Sequence, residues 1–506
     1  MRDSFSGGGV DGVVRPFASI LSAIRRAALI AGGGALAGGC GSPQQSEPTP
    51  QIGAAAEVRS RGPASLIVRH ATLFDTRTRR TIPNTTIVIR GDRIAAVAPD
   101  SSLATVRAPV EIDGRGRLVT PGLIDVHHHV DYAFPDSITP GGGAIARLVM
   151  TSDSIAAYRA RWAANYLPFG VTVVREAGGN EEHLALMTAW ARPSPAAPDF
   201  IPSGGALVSH EEGRVPFAGH AIVRDSADAA ARVRRYHEAG LRDVKLYWRL
   251  REPEYVSAFT EARRLGMHVS THVDFGIVSP PRALAIGVTH FEHAYTLGVG
   301  VMTPAEVQRT WTRTRQELGA EVPGGFYWGV LEHFNLLGPQ DPRLTSLIAE
   351  FVRVGATVTP TLHIFAQRVG LASHTTPSLG VFDRSDAWTP AQRDRARDGY
   401  RILAGYVRRL HEAGVPLAVG TDWLDSGRAA LSEMLLFNQA GIPMADVLAI
   451  ATLGGARALD REAEYGVVEA GRRAHLVIFD RNPLEDAEGL LGAKTVVKDG
   501  VVAAEK

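Results

Sequence analysis

Apolar positions along the chain fall into two textures: short β-branched runs at both ends, and alternating strand-like and helix-like stretches between them. Near the start, Ser65-Leu-Ile-Val-Arg69, Thr85-Thr-Ile-Val-Ile-Arg90 and Arg93-Ile-Ala-Ala-Val97 read as strands, with Gly91-Asp92 as the hairpin turn between the last two. The same texture returns in Ala474-His-Leu-Val-Ile-Phe-Asp480 and in Lys494-Thr-Val-Val-Lys498, which is followed by the turn pair Asp499-Gly500. Two β-rich ends around a long middle predict one small sheet domain built from both termini.

In the middle, strands alternate with helical stretches such as Ser226–Ala239 and Glu254–Leu265. That alternation implies βαβ units and a parallel sheet. The candidate strands are Leu118–His127, Val171–Arg175, Phe200–Val208, Val244–Tyr247, His268–His272, Val288–His293, Thr357–Leu362 and Pro416–Gly420. Eight is the number that closes a TIM barrel, so the expected fold is α/β: a (β/α)8 barrel with a composite β-sandwich domain. The expected boundaries are 64–120 plus 460–506 for the β domain and 121–459 for the barrel. Barrel active sites lie at the C-terminal ends of the strands, and that is where the unusual polar residues fall.

Strand 1 ends in Pro121-Gly-Leu-Ile-Asp-Val-His-His-His129. Residues two apart on a strand share a face, so His127 and His129 point one way and His128 the other. Two imidazoles aimed together supply half of a nitrogen/oxygen metal shell. Lys245 ends the fourth strand; its ammonium has no acceptor and cannot bind a cation, but CO₂ converts it to a carbamate, an anion able to bridge two metals. His272 and His293 close the next two strands, with His290 as the alternative to His293. Asp422 follows the last strand, where a carboxylate can take a proton from a metal-bound water and deliver it to a leaving nitrogen. Tyr247 shares a face with Lys245 and either donates to a developing oxyanion or packs as a barrel tyrosine. His220 either binds substrate or caps a loop, and His363 lies just past strand 7. Long stretches at about 299–343, carrying Trp311, Phe326, Tyr327, Trp328 and Phe334, and at about 363–400 read as loops flanking the site.

This set resembles the amidohydrolase superfamily in its binuclear, carboxylated-lysine branch. Phe291-Glu-His-Ala294, Thr359-Pro-Thr-Leu362 and Pro216–His220 are similar to the imidazolonepropionase-like hydrolases that include Xaa-Pro and other acyl-amino-acid dipeptidases. Val467–Asp480, Asn482-Pro-Leu-Glu-Asp486 and Val496-Val-Lys-Asp-Gly500 match that family's composite sheet domain, so the resemblance covers roughly 65–504. It implies that His127 and His129 hold one divalent metal with Asp422, that His272 and His293 hold the other, and that carboxylated Lys245 bridges them. The metals would be Zn²⁺, or Mn²⁺, Co²⁺ or Fe²⁺. A water bridging them would attack the C–N bond of a small amide, dipeptide or N-acyl amino acid, with Asp422 as proton shuttle. Three positions depart from the family pattern: Glu176 where Asp is usual, Gly454-Gly455 for Asn-Ala, and His475 for Asp. None of them is expected to touch a metal ligand.

Two other readings compete. A mononuclear deaminase or imidazolone-type cyclic amide hydrolase has no use for an anion at Lys245, and His272-Val-Asp274 lacks a glutamate two residues on. A non-catalytic, surface-anchored binding protein is opposed by the complete ligand set.

Composition narrows the partner. The 54 Lys+Arg against 53 Asp+Glu leave a formal charge of +1, which gives no footprint for nucleic acid or an anionic membrane face. A small-molecule partner follows, and the composition says nothing about oligomeric state. At the N-terminus, Arg25-Arg26 precede the apolar Ala27–Ala37 and then Gly38-Gly39-Cys40. The run is shorter than the roughly 20 residues of a membrane span, so 1–40 is expected to be an export signal, of Sec or twin-arginine type. Cys40 is the only cysteine and sits where a lipoprotein would be acylated; the alternative is a plain cleaved signal. Residues 41–63 read as a flexible tether, and the mature protein is expected in the periplasm or cell envelope.

Overall fold

The computed structural model describes residues 63–138, 144–212, 219–273, 277–319, 324–371, 385–424 and 426–505. The export-signal, Cys40 and tether expectations lie outside these residues, as do Pro216–Ala218 and Asp274. Among the described residues no helix is long and apolar enough to cross a membrane.

Both ends of the chain enter one eight-stranded mixed sheet. Leu476–Phe479 runs antiparallel to Leu118–Pro121, and Leu66–Asp75 pairs with Arg80–Arg90 on one side and in parallel with Val110–Asp113 on the other. The period of two sets its faces. Leu66, Val68, Ile87, Ile89, Leu476 and Ile478 share one buried cluster, while Ile67 and Val88 turn to a second with Leu103 and Val106. Val477 and Phe479 instead join the main core of the α/β region, which ties the sheet to the rest of the molecule.

In that region parallel strands follow one another: Leu123–His128 beside Val171–Glu176 beside Asp199–Pro202, and Asp243–Leu246, His268–Thr271, His290–Glu292 and Thr357–Thr359 in succession. A bridge between Ser203 and Asp243 links the two groups. The segment 416–420 forms only an isolated bridge, Val358 with Leu417, and its Val419 carbonyl accepts the N–H of Val126 at 2.9 Å. These strands are buried on both faces, which is why they read as near-continuous apolar runs.

Three boundaries differ from those expected. The strand Leu118–His127 is two strands in two sheets, broken at Gly122, where a Cβ would lie 2.1 Å from Thr172 Oγ1. Phe200–Val208 likewise divides into Asp199–Pro202 and Leu207–Ser209. Pro202 ends the first, and Gly204 lets the backbone pass the Tyr236 ring at a distance where a Cβ would meet it at 2.2 Å. The supposed loop at 299–343 is largely two helices, Pro304–Leu318 and Gly325–Leu337. The first opens with a capping box from Thr303 and Glu306, and the second buries Tyr327, Trp328 and Phe334. Within 363–400, His363–Ala366 is helical, and a longer helix spans Pro390–Glu412.

Candidate metal centre

The ends of the parallel strands bring His127, His129, Lys245, His272, His293 and Asp422 into one cluster. The rings of His127 and His293 are 4.6 Å apart, those of His293 and His272 4.5 Å, and those of His127 and His129 5.3 Å. Asp422 stands among them: its carboxylate is 3.9 Å from His127 Nε2, 3.4 Å from His129 Nε2 and 3.9 Å from His293 Nε2. His128 points away, buried beside Tyr166.

The backbone is bent for this purpose. His293, Thr361 and Asp422 all have positive φ, 64°, 51° and 47°, a conformation uncommon for residues other than glycine and typical of sites where strain serves a function. Short backbone bonds hold the turns, with Asp422 N–H on His127 O and His293 N–H on Thr359 O, both 2.7 Å.

Each of three imidazoles is fixed through its Nδ1. His127 donates to Glu292 Oε2 at 2.7 Å, and His129 to Glu176 Oε1 at 2.8 Å. His293 Nδ1 lies 2.9 Å from Thr361 Oγ1. With the proton held on Nδ1, the Nε2 lone pair faces Asp422, the arrangement found for metal-ligating histidines. Burial drives His127, His272 and His293 well below the ordinary imidazole range, so they are neutral at pH 7. Burial also pulls on His129, but the Glu176 carboxylate wins and raises it.

Lys245 is 1% exposed. Its ammonium makes no hydrogen bond among the described residues and has Glu292 Oε1, 3.4 Å away, as ion-pair partner. Burial brings it down to about 8, with Glu292 opposing. A buried lysine among four imidazoles is costly as a cation. Asp422 is pushed up to about 6 by burial, against the pull of His129 and Lys245. The donors of His127, His129 and Asp422 lie within 4.8 Å of one another, and this donor set fits a divalent metal.

Tyr247 and His220 join the cluster's edge: the Tyr247 ring is 4.8 Å from His272 and 4.6 Å from His220. His363 sits apart, with Nδ1 3.0 Å from Ser432 Oγ. His290 lies behind the site, its ring 4.4 Å from that of His268.

The sequence reading missed Glu292 and misjudged Glu176. Glu176 was expected to touch no metal ligand, yet it holds His129 and also accepts the Val130 N–H at 2.7 Å. Gly179 makes room for it, since a Cβ there would lie 2.9 Å from Glu176 Cγ. Behind Glu292, Arg175 donates to it at 2.8 Å and to Asp243 at 2.7 Å. The available signal was charge inside apolar strands: a buried Arg175-Glu176 or Glu292 must have partners.

A second group with ligand-like spacing, Asp199, His475 and Asp499, lies where a strand of the α/β region meets the C-terminal strands. Lys498 is fully buried there, 2.8 Å from Asp199 Oδ1 and paired with Asp499 as well, so an ammonium already balances these carboxylates.

The amidohydrolase family model matches residues 395–503. An imidazolonepropionase from Polaromonas sp. is 23% identical over 460 residues, 83% of this chain and 89% of that protein. An adenine deaminase from Rubrobacter xylanophilus is 35% identical over 77 residues, 15% of this chain and only 13% of the deaminase. A Xaa-Pro dipeptidase solved with methionine in its active site shares the fold at TM-score 0.59 and 19% identity, covering 87% of this chain and 100% of its own. The match to the amidohydrolase family model is thus confined to the C-terminal part of the chain, while the similarity to imidazolonepropionases, at 23–25% identity, extends over 78–83% of it.

Proposed function

We propose that this chain is a two-metal hydrolase of a C–N bond in a small amide, a dipeptide (Xaa-Pro among them) or an N-acyl amino acid. The observation that carries the reading is Lys245, buried among four histidines with Asp422 opposite. In this reading His127, His129 and Asp422 would hold one cation and His272 and His293 the other, with a carboxylated Lys245 as the anion that would serve both. Zn²⁺, or Mn²⁺, Co²⁺ or Fe²⁺, would supply Lewis acidity to the scissile carbonyl and acidify the attacking water. Asp422 accepts the water's proton on a carboxylate oxygen and returns it to the departing nitrogen as the C–N bond breaks. Tyr247, beside His272, donates a hydrogen bond from its hydroxyl to the carbonyl oxygen as negative charge develops there. His220, next to Tyr247, contacts the substrate. The imidazoles of His127, His129 and His293 keep Nε2 toward the centre because Glu292, Glu176 and Thr361 occupy their Nδ1 sides.

The architecture of this reading is a closed (β/α)8 barrel, 121–459, with a composite β domain from 64–120 and 460–506. The Ser203–Asp243 and Val358–Leu417 bridges and the Val126–Val419 hydrogen bond support closure. Residues 1–40 act as an export signal with Cys40 as lipid anchor, and 41–63 as tether. The similarity to an imidazolonepropionase over 83% of the chain favours a second reading, hydrolysis of a cyclic amide; Lys245 argues against it.

A panel of Xaa-Pro dipeptides, other dipeptides, N-acyl amino acids and a cyclic imidazolone, assayed on metal-loaded protein, tests the proposal. Turnover of the acyclic amides is the expected result. Turnover of the imidazolone alone, or of none, would refute it.

A further inference from the structure

The two halves of the cluster are not supported alike. His127 and His129 give their Nδ1 protons to carboxylates, Glu292 and Glu176, at 2.7 and 2.8 Å. Both carboxylates are shut away from solvent, at 2% and 0% side-chain exposure. On the other half the partners are neutral hydroxyls. Thr361 Oγ1 meets His293 Nδ1 at 2.9 Å, and the Tyr295 hydroxyl lies 3.4 Å from His272 Nε2, the nitrogen that would otherwise face a cation.

Charge decides what this difference does. A carboxylate accepting the Nδ1 proton makes the imidazole a stronger donor through Nε2, and it places negative charge one ring away from the cation. In a buried site that charge is weakly screened. A hydroxyl fixes the ring's orientation and adds no charge. Glu292 also faces Arg175, which it shares with Asp243, and the Lys245 ammonium at 3.4 Å, so of the two carboxylates Glu176 is the one directed to a single histidine. Glu176 accepts from His129 and the Val130 N–H, with no cationic side chain among its hydrogen bonds. Asp422 leans the same way, 3.4 Å from His129. His127, His129 and Asp422 each bring a donor atom within 4.8 Å of the others.

We infer that Glu176 and Glu292 are positioning residues that make the His127–His129–Asp422 position bind its cation more tightly than the His272–His293 position, so that metal loads in two separate steps. The inference rests on the two-metal reading above and adds an order of filling to it. The second position is the exchangeable one, and it waits on the Lys245 carbamate and on movement of the Tyr295 hydroxyl away from His272.

The test is a Zn²⁺ titration of the chelator-stripped full-length protein in bicarbonate buffer, with free metal read by a competing chromophoric chelator. Two equivalents should bind in classes at least about tenfold apart. Glu176→Gln should weaken the tighter class by about 10–100-fold, the usual cost of losing such a partner, and leave the weaker class within about threefold; Glu292→Gln should weaken the tighter class by a similar factor and the weaker class by less. Thermal melts of the metal-free variants identify any that fail to fold. As a readout that general loosening would not produce, the ¹⁵N shifts of the metal-free histidines should show His129 losing its fixed Nδ1–H form in Glu176→Gln, and His127 losing it in Glu292→Gln. Two equivalents of equal affinity, or variants that weaken both classes alike, would overturn the inference and leave the two-metal reading standing. Saturation at one equivalent would overturn both.

Discussion

Asp422→Asn separates what this carboxylate does for chemistry from what it does for the fold. Asparagine, like aspartate, tolerates the left-handed backbone that Asp422 adopts at φ 47°, and it keeps the side-chain shape. In the metal-free protein the carboxylate is pushed up from 3.8 to about 6, chiefly by burial. A rise of roughly two pH units corresponds to about 3 kcal/mol of native-state penalty above pH 6. The side chain retains 16% exposure, so solvent screening trims this to roughly 1–3 kcal/mol. The sign follows from linkage. A carboxyl whose native pKa is raised destabilises nothing below the unfolded value near 4, costs progressively more as pH rises to about 6, and costs a constant amount above that. Metal-free Asp422→Asn should therefore match wild type at pH 4 and exceed it by about 1–3 kcal/mol at pH 7 in urea unfolding. With metal restored and occupancy matched, kcat should fall by about 10²–10⁴-fold, the usual size of general acid–base catalysis, and the acidic limb of the kcat/KM profile should disappear. A metal-free variant no more stable than wild type at pH 7 would refute the burial argument. A metal-replete variant with near-normal kcat would refute the proton-shuttle role.

Three further outcomes are expected. Lys245→Ala should abolish turnover and lower metal content, with partial recovery in short carboxylic acids that stand in for the carbamate; atomic absorption and activity assays check both. Gly204→Ala should cost about 1–3 kcal/mol, a typical overpacking penalty, because the new Cβ meets the Tyr236 ring at 2.2 Å and that ring is held by its hydroxyl on Glu181 and Gly205; urea unfolding measures it. Cys40→Ser should release the protein from the membrane fraction or block its processing, and unchanged fractionation and gel mobility would leave a plain signal in its place.

Much of the cluster was legible because its histidines, lysine and aspartate mark strand ends. The Val126-His127-His128-His129 run alternates faces, and Lys245, His272, His293 and Asp422 each interrupt or follow an apolar strand. The supporting residues were less legible for a spatial reason. Glu292 reaches His127 across 165 positions of sequence, and Glu176 reaches His129 across 47, contacts that no local pattern reports. The strand boundaries failed where glycine intervened. Gly122 and Gly204 look like minor interruptions in apolar runs, and only the neighbouring Thr172 and Tyr236 side chains show that the chain changes course there. The helices within 299–343 were missed because the whole stretch between two strands reads as one long loop. The Thr303-Pro-Ala-Glu306 capping box was the local sign that a helix begins there.

The central claim is a pair of cations bridged through Lys245, and metal content tests it most directly. Full-length protein, reconstituted with Zn²⁺ in bicarbonate buffer and freed of excess metal, should carry two equivalents per chain by inductively coupled plasma mass spectrometry, and Lys245→Ala prepared identically should carry at most one. Wild-type protein saturating at one equivalent or none, or a Lys245→Ala variant that retains two, would contradict it.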